Sequence, residues 1–174
     1  KTNYEWDFAG AEAEHKRAVE LSPNSSPAHG MYARLLAILG KFDESIAEMK
    51  TAIDLEPASA GNHHSYGWIL FQARRYDEAI AEEELVVKMD PTIHMAYNVL
   101  SNSYDLKGDD DKSFDAFIKL KTLRGDDPDE IVSLKAIYAK SGWRGVSERQ
   151  LDDQKASEKK GKPNYANLAG TSIE

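Results

Sequence analysis

The amino-acid sequence predicts an all-α solenoid, in which antiparallel helix pairs stack along the chain. Pro23, Pro57 and Pro91 follow one another at 34-residue intervals, and the next step of 34 reaches Gly125, another helix breaker. Within one interval, apolar residues of the segment 32–39 fall at i, i+3, i+4 and i+7, which is one face of a helix. A fixed period of this length indicates a repeat architecture, whose units bury their apolar faces on one another.

Further columns share the period and divide each unit into a helix, a turn and a second helix. Glycine is the usual residue where the first helix ends, because its left-handed conformation caps a helix. The turn column is Gly40, Arg74, Gly108 and Gly142; an aromatic column is Phe8, Phe42 and Tyr76; a small column is Ala11, Ser45, Ala79, Ser113 and Ser147; an apolar column is Leu21, Leu55, Met89 and Leu123.

Composition excludes several classes of protein. The 174 residues include no cysteine, which excludes disulfides, thiolate catalysis and cysteine-ligated metals. The net charge of −8 disfavours a general nucleic-acid surface. No apolar run approaches the length of a membrane helix, and no signal peptide is visible. We therefore predict a cytoplasmic protein that binds neither nucleic acid nor membrane.

The columns resemble those of the tetratricopeptide repeat (TPR) family. The repeat length of 34 agrees, and so do large residues at the seventh and eleventh positions of a unit and small ones at the eighth. The first complete unit carries Ser45, Met49, Ala52 and Pro57 where the family has small, apolar, small and proline residues. The resemblance covers residues 7–155 and implies a right-handed α-solenoid.

The sequence also departs from the family pattern. Glu83 stands where an apolar residue is usual, and Lys135 and Gln154 stand where small residues are usual. The second helix of the last complete unit has only Val146, Leu151 and Ala156 to bury. We therefore expect that helix to pack weakly and to fray.

We predict a division of the chain by repeat unit. The segments are an incomplete first repeat with only its second helix (1–25), three TPR units (26–59, 60–93 and 94–127), a degenerate TPR unit (128–161), and a further helix start or tail (162–174). Neither end resembles a dedicated cap, and the chain does not begin with methionine, so we expect a piece of a longer protein. Residues 4–24 resemble TPR tails behind signalling domains of bacterial regulators, which implies a regulatory role.

The resemblance also implies a groove lined by the first helix of each unit, and this is where we expect a ligand. Tryptophan and phenylalanine offer apolar area, arginine pairs with carboxylates, and asparagine bonds an extended peptide backbone. The candidate groove residues are Arg34, His64, Trp68, Phe71, Asn98 and Asn102. The alternatives are burial of Trp68 between units, a solvated asparagine face and a local ion pair of Arg34.

We predict no catalytic, cofactor-binding or metal-binding residue. The five histidines lack i, i+3 or i+4 spacing, and His63 and His64 point apart on a helix. The acidic runs 109–111 and 126–130 fit helix starts better than calcium loops, and no phosphate-binding glycine loop is present. The residues of the chaperone-tail clamp are absent as well.

The favoured hypothesis is a non-enzymatic scaffold that binds a protein or peptide in its groove. The alternatives are a self-association module, joined through array ends, and a regulatory tail.

Overall fold

The computed structural model describes residues 8–159, with side-chain detail to residue 156. This part of the chain is entirely helical apart from its turns, and the predicted all-α solenoid is confirmed. Its helices are α1 (Phe8–Leu21), α2 (Ser26–Ile38), α3 (Phe42–Leu55), α4 (Ala60–Gln72), α5 (Tyr76–Met89), α6 (His94–Lys107), α7 (Asp110–Arg124) and α8 (Pro128–Lys159). The predicted helix start within 162–174 lies outside the described residues.

Two compact units divide the chain, one ending at Gly125 and the other beginning at Asp126. In the first unit, each helix from α1 to α6 packs on the next one along the chain. In addition, α4 packs on both α2 and α6. The first helices of successive pairs therefore form a continuous layer, as a solenoid requires.

Local chemistry explains where these helices begin and end. The hydroxyls of Ser25 and Ser59 accept hydrogen bonds from backbone N–H groups in the first turns of α2 and α4, and the Asp109 carboxylate does the same for α7. Gly40 and Gly108 follow α2 and α6 with φ of 74° and 75°, a conformation that costs glycine little.

Small residues bring the two helices of a pair close together. Ser45 of α3 donates its hydroxyl hydrogen to the carbonyl of Ala33 on α2 at 2.7 Å. In the later pair, Ser113 donates to the carbonyl of Ser101 at 2.9 Å, and Ser101 donates back to Ser113 at 3.0 Å. These bonds tie the helices of a pair together where larger side chains would hold them apart.

The second unit contains α8, which is interrupted at Gly142 with φ 63° and ψ −165°. Only glycine adopts this conformation readily. Of the three apolar residues available for burial beyond it, Val146 is buried, whereas Leu151 is 49% exposed and Ala156 is also exposed. This stretch is charged and carries i, i+4 ion pairs such as Arg149–Asp153.

No helix within residues 8–159 combines the length and the apolar character that crossing a membrane would need. The longest, α8, is rich in charged residues along its second half.

Candidate functional site

A cavity of about 320 Å³ opens where α2, α4 and α6 meet. We call it the α4 pocket, because α4 supplies most of its wall. The pocket is lined by Arg34 from α2, by His64, Ser65 and Trp68 from α4, and by Met95 from α6. The structure thus brings together three of the six predicted groove residues, Arg34, His64 and Trp68. They come from two different repeat units, so the solenoid packing itself builds the pocket.

Arg34 contributes an unsatisfied positive charge. It is exposed, and it makes no hydrogen bond or ion pair with any residue between 8 and 156. By contrast Arg17, Arg75, Arg144 and Arg149 each pair with a carboxylate three or four positions along the chain. The alternative of a local ion pair is therefore not what the structure shows for Arg34, and its guanidinium is available to a ligand.

Trp68 has a structural role and a surface role together. Its ring is half-buried and packs against the core cluster that includes Ile69 and Leu70, while another part of it lines the α4 pocket. Phe71 packs against the same core, and its ring centroid lies 5.8 Å from that of Tyr76. Phe71 does not line the α4 pocket, so its apolar area serves mainly the packing of α4 on α5.

The two asparagines on α6 interact with each other. The Asn102 side-chain amide donates to the backbone carbonyl of Asn98 at 2.8 Å and lies 3.3 Å from its side-chain oxygen. Asn102 is exposed and Asn98 half-buried. The pair lies outside the α4 pocket, and a peptide would have to compete with the bond between them.

Sequence reasoning missed the most unusual group at this site. Glu83 on α5 is fully buried, and His64 Nδ1 lies 3.0 and 3.1 Å from its two carboxylate oxygens. Burial raises the pKa of Glu83 to about 7, against the opposing attraction of His64. Gly67 makes room for it, because a Cβ there would lie 2.6 Å from Glu83 Oε1. The sequence shows that Glu83 departs from its apolar column, but it does not show that His64 is the partner of Glu83.

Two further histidines make a repeated structural bond. His29 Nδ1 lies 2.6 Å from a Glu48 carboxylate oxygen, and Nε2 donates to the carbonyl of Pro23 at 3.0 Å. One repeat later, His63 makes the same two bonds with Glu82 and with a proline carbonyl. Both nitrogens of these buried rings are occupied, so these histidines join helix pairs to the preceding turn and offer nothing to a ligand.

A second cavity, of about 710 Å³, lies between α5 and the α6–α7 turn. Its walls carry several carboxylates, but the structure pairs its main polar groups internally. Lys107 Nζ lies 2.6 Å from Asp77, Lys112 lies 2.9 Å from Asp109, and Tyr104 donates its hydroxyl hydrogen to Glu84 at 2.7 Å. Within residues 8–156, no group of three or more potential metal ligands comes together.

Comparison with known proteins agrees with this architecture. Residues 33–93 match the family model described as tetratricopeptide repeat. Two crystal structures of MamA align with TM-scores of 0.67 and 0.64, at 21% and 23% identity. They cover 89% and 95% of this chain and 91% and 90% of their own.

A mutant O-GlcNAc transferase from Thermobaculum terrenum aligns with a TM-score of 0.62 at 18% identity, over 67% of this chain and 23% of its own. No curated protein matches the sequence significantly. The helix packing and the solved structures show an α-solenoid fold, and residues 33–93 of the chain match the tetratricopeptide repeat family.

Proposed function

We propose that this chain is a protein-interaction scaffold that binds an extended peptide segment of a partner across α2, α4 and α6. The fold supports the scaffold role, since tetratricopeptide repeats serve in protein–protein interaction and are generally non-catalytic. The observation that carries the peptide site is the α4 pocket, to which the first helices of three successive pairs contribute.

The chemistry of this face suits a short peptide. Trp68 supplies a rigid apolar wall that loses little side-chain entropy on binding. Ile38 and Leu106, which occupy equivalent positions at the ends of α2 and α6, are 63% and 58% exposed. Arg34 adds a charge that no described residue neutralises. Apolar anchors beside one strong polar contact are typical of peptide grooves.

The test is selection of peptides from a random display library on the purified chain, followed by affinity measurements with variants. Trp68→Ala should weaken the selected peptides about thirtyfold, as expected for a central aromatic anchor. Circular dichroism must show retained helicity, because Trp68 also packs on the core. Trp68→Phe, which keeps most of that packing, should weaken binding less.

Arg34→Gln should also weaken the selected peptides, whereas Arg17→Gln provides the matched control. Arg17 is exposed on α1 and already paired with Glu20. Equal effects of both arginine variants, or none from either Trp68 variant, would show that the peptides bind elsewhere on the chain.

Self-association and a regulatory role in a larger bacterial signalling protein stay predictions, as does the cytoplasmic location. Sedimentation over a range of concentrations addresses the first of these: a chain that remains monomeric at high micromolar concentration argues against it.

A further inference from the structure

His64 lines the α4 pocket, and only one of its two ring nitrogens is hydrogen-bonded to another residue. Nδ1 is held by the buried Glu83 carboxylate. Nε2 has no hydrogen-bond partner among residues 8–156, and the His64 side chain is 23% exposed. This sets His64 apart from the neighbouring His63, whose Nε2 donates to a backbone carbonyl at 3.0 Å. The free nitrogen belongs to a ring that also lines the pocket beside Arg34.

A single proton decides what Nε2 offers to a ligand. When Glu83 is ionised and the imidazole is neutral, Nδ1–H donates to the carboxylate, and Nε2 carries a bare lone pair. When the pair takes up one proton, either the ring is protonated on both nitrogens or the carboxylic acid donates to Nδ1 and the ring hydrogen lies on Nε2. In both arrangements Nε2–H is a donor, and the net charge of the pair rises from −1 to zero.

We propose that the α4 pocket is a proton-coupled site for an acidic group of the ligand, which binds between Arg34 and His64 while the His64–Glu83 pair takes up one proton. This proposal rests on the proposed function and names the chemistry of its ligand: an acidic side chain next to an apolar one. Arg34 supplies the unpaired cation, and Trp68 supplies the apolar wall. Glu83 is a positioning residue, because it does not touch the ligand but fixes the ring and sets its proton.

The surroundings of the pair support coupling near neutral pH. Burial, the largest cause, and the neighbouring Glu82 carboxylate on α5 raise the pKa of Glu83, while His64 lowers it, and the net pKa is about 7. Glu82 is itself bonded to His63. From α2 the charged group at the pocket is Arg34, and the side chain that α6 contributes is apolar. The α3 carboxylate that reaches α2 is taken up by a buried histidine there.

The test uses two blocked dipeptides, acetyl-Leu-Glu-amide and acetyl-Leu-Gln-amide, titrated into the labelled chain and followed by NMR of the His64 and Trp68 side chains. Because binding takes up one proton around pH 7, the affinity for the glutamate peptide should fall about tenfold as the pH is raised from 6 to 8. The glutamine peptide should bind more weakly at pH 6 and show no such dependence.

Two variants test whether Glu83 is responsible for the proton that is taken up on binding. In Glu83→Gln the side-chain amide can donate to Nδ1, so a neutral ring keeps its hydrogen on Nε2. Binding of the glutamate peptide at pH 8 should therefore recover to within about threefold of its pH 6 value. Glu14→Gln is the matched control, because Glu14 is exposed on α1 and does not line the pocket. It should keep the wild-type profile.

Equal affinity for the two dipeptides, absence of binding at millimolar concentration, or a full tenfold pH dependence in Glu83→Gln would each overturn the proposal. These outcomes are separate from failure of the scaffold function. If the library peptides lack acidic residues but their binding still depends on Trp68, the peptide groove is supported and the acidic ligand is excluded.

Discussion

Glu83 should make the stability of the fold depend on pH in the direction opposite to that of an exposed, ion-paired carboxylate. Burial raises its pKa from 4.5 to about 7. The folded state therefore holds this proton more tightly than the unfolded state does. The stabilisation is fully present below pH 4.5 and is lost as pH rises through about 7. At about 1.4 kcal/mol per pKa unit, ionisation of Glu83 costs the folded state about 3 kcal/mol, most of which falls between pH 5 and pH 8.

The assay is urea unfolding at pH 5, 6, 7 and 8, followed by circular dichroism, on the wild type and on Glu83→Gln. The glutamine side chain of this variant cannot ionise. Its free energy of unfolding, relative to that of the wild type, should therefore rise by about 2–3 kcal/mol from pH 5 to pH 8. Glu14→Gln, on the exposed surface of α1, should run parallel to the wild type. If Glu83→Gln also runs parallel, within about 0.5 kcal/mol, the buried carboxylate is not the titrating group, and the reasoning fails.

Three further substitutions test the packing by their effects on urea and thermal unfolding. Gly67→Ala would place a Cβ 2.6 Å from Glu83 Oε1 and should cost about 1–3 kcal/mol, whereas Gly61→Ala, with nothing closer than 3.9 Å, should stabilise α4 by about 0.5–1 kcal/mol. Arg74→Gly should stabilise by up to about 1 kcal/mol, because Arg74 has φ 60°. Ser113→Ala should cost about 1 kcal/mol, since its hydroxyl donates to an α6 carbonyl at 2.9 Å. A neutral Gly67→Ala, a destabilising Arg74→Gly or an unchanged Ser113→Ala would contradict these packing arguments.

The fold could be predicted from the sequence because its determinants are local and repeated. Gly40 and Gly108 end helices through their own backbone freedom, and Asp109 caps α7 through an oxygen three residues from its donor. Each such feature needs only the few residues beside it, and the 34-residue period copies it along the chain. Leu151 shows the limit of this approach, because an apolar residue at the right spacing is still exposed on α8.

The site could be predicted only in part, because it depends on contacts between helices. Arg34, His64 and Trp68 were expected on one face, and the structure brings them into one pocket. Whether Arg34 is paired depends on which carboxylates other helices bring near it, and the 34-residue period does not specify that. The bond from His64 to Glu83 joins residues 19 positions apart on two helices, so only the packing of α4 on α5 reveals it.

The departures from the repeat pattern at this pocket explain one another. In the column of Glu83, the units directly before and after it carry Met49, which is fully buried, and Phe117. A carboxylate there needs both a partner and space, and His64 and Gly67 supply them from one face of α4. An apolar side chain would meet the packing requirement at lower cost, since burying a carboxylate is unfavourable even when it is paired. Stability alone therefore does not account for Glu83. Because Glu83 lies directly behind a pocket-lining histidine, we connect that cost with the binding proposed for the pocket, since sequences often violate local rules at functional sites.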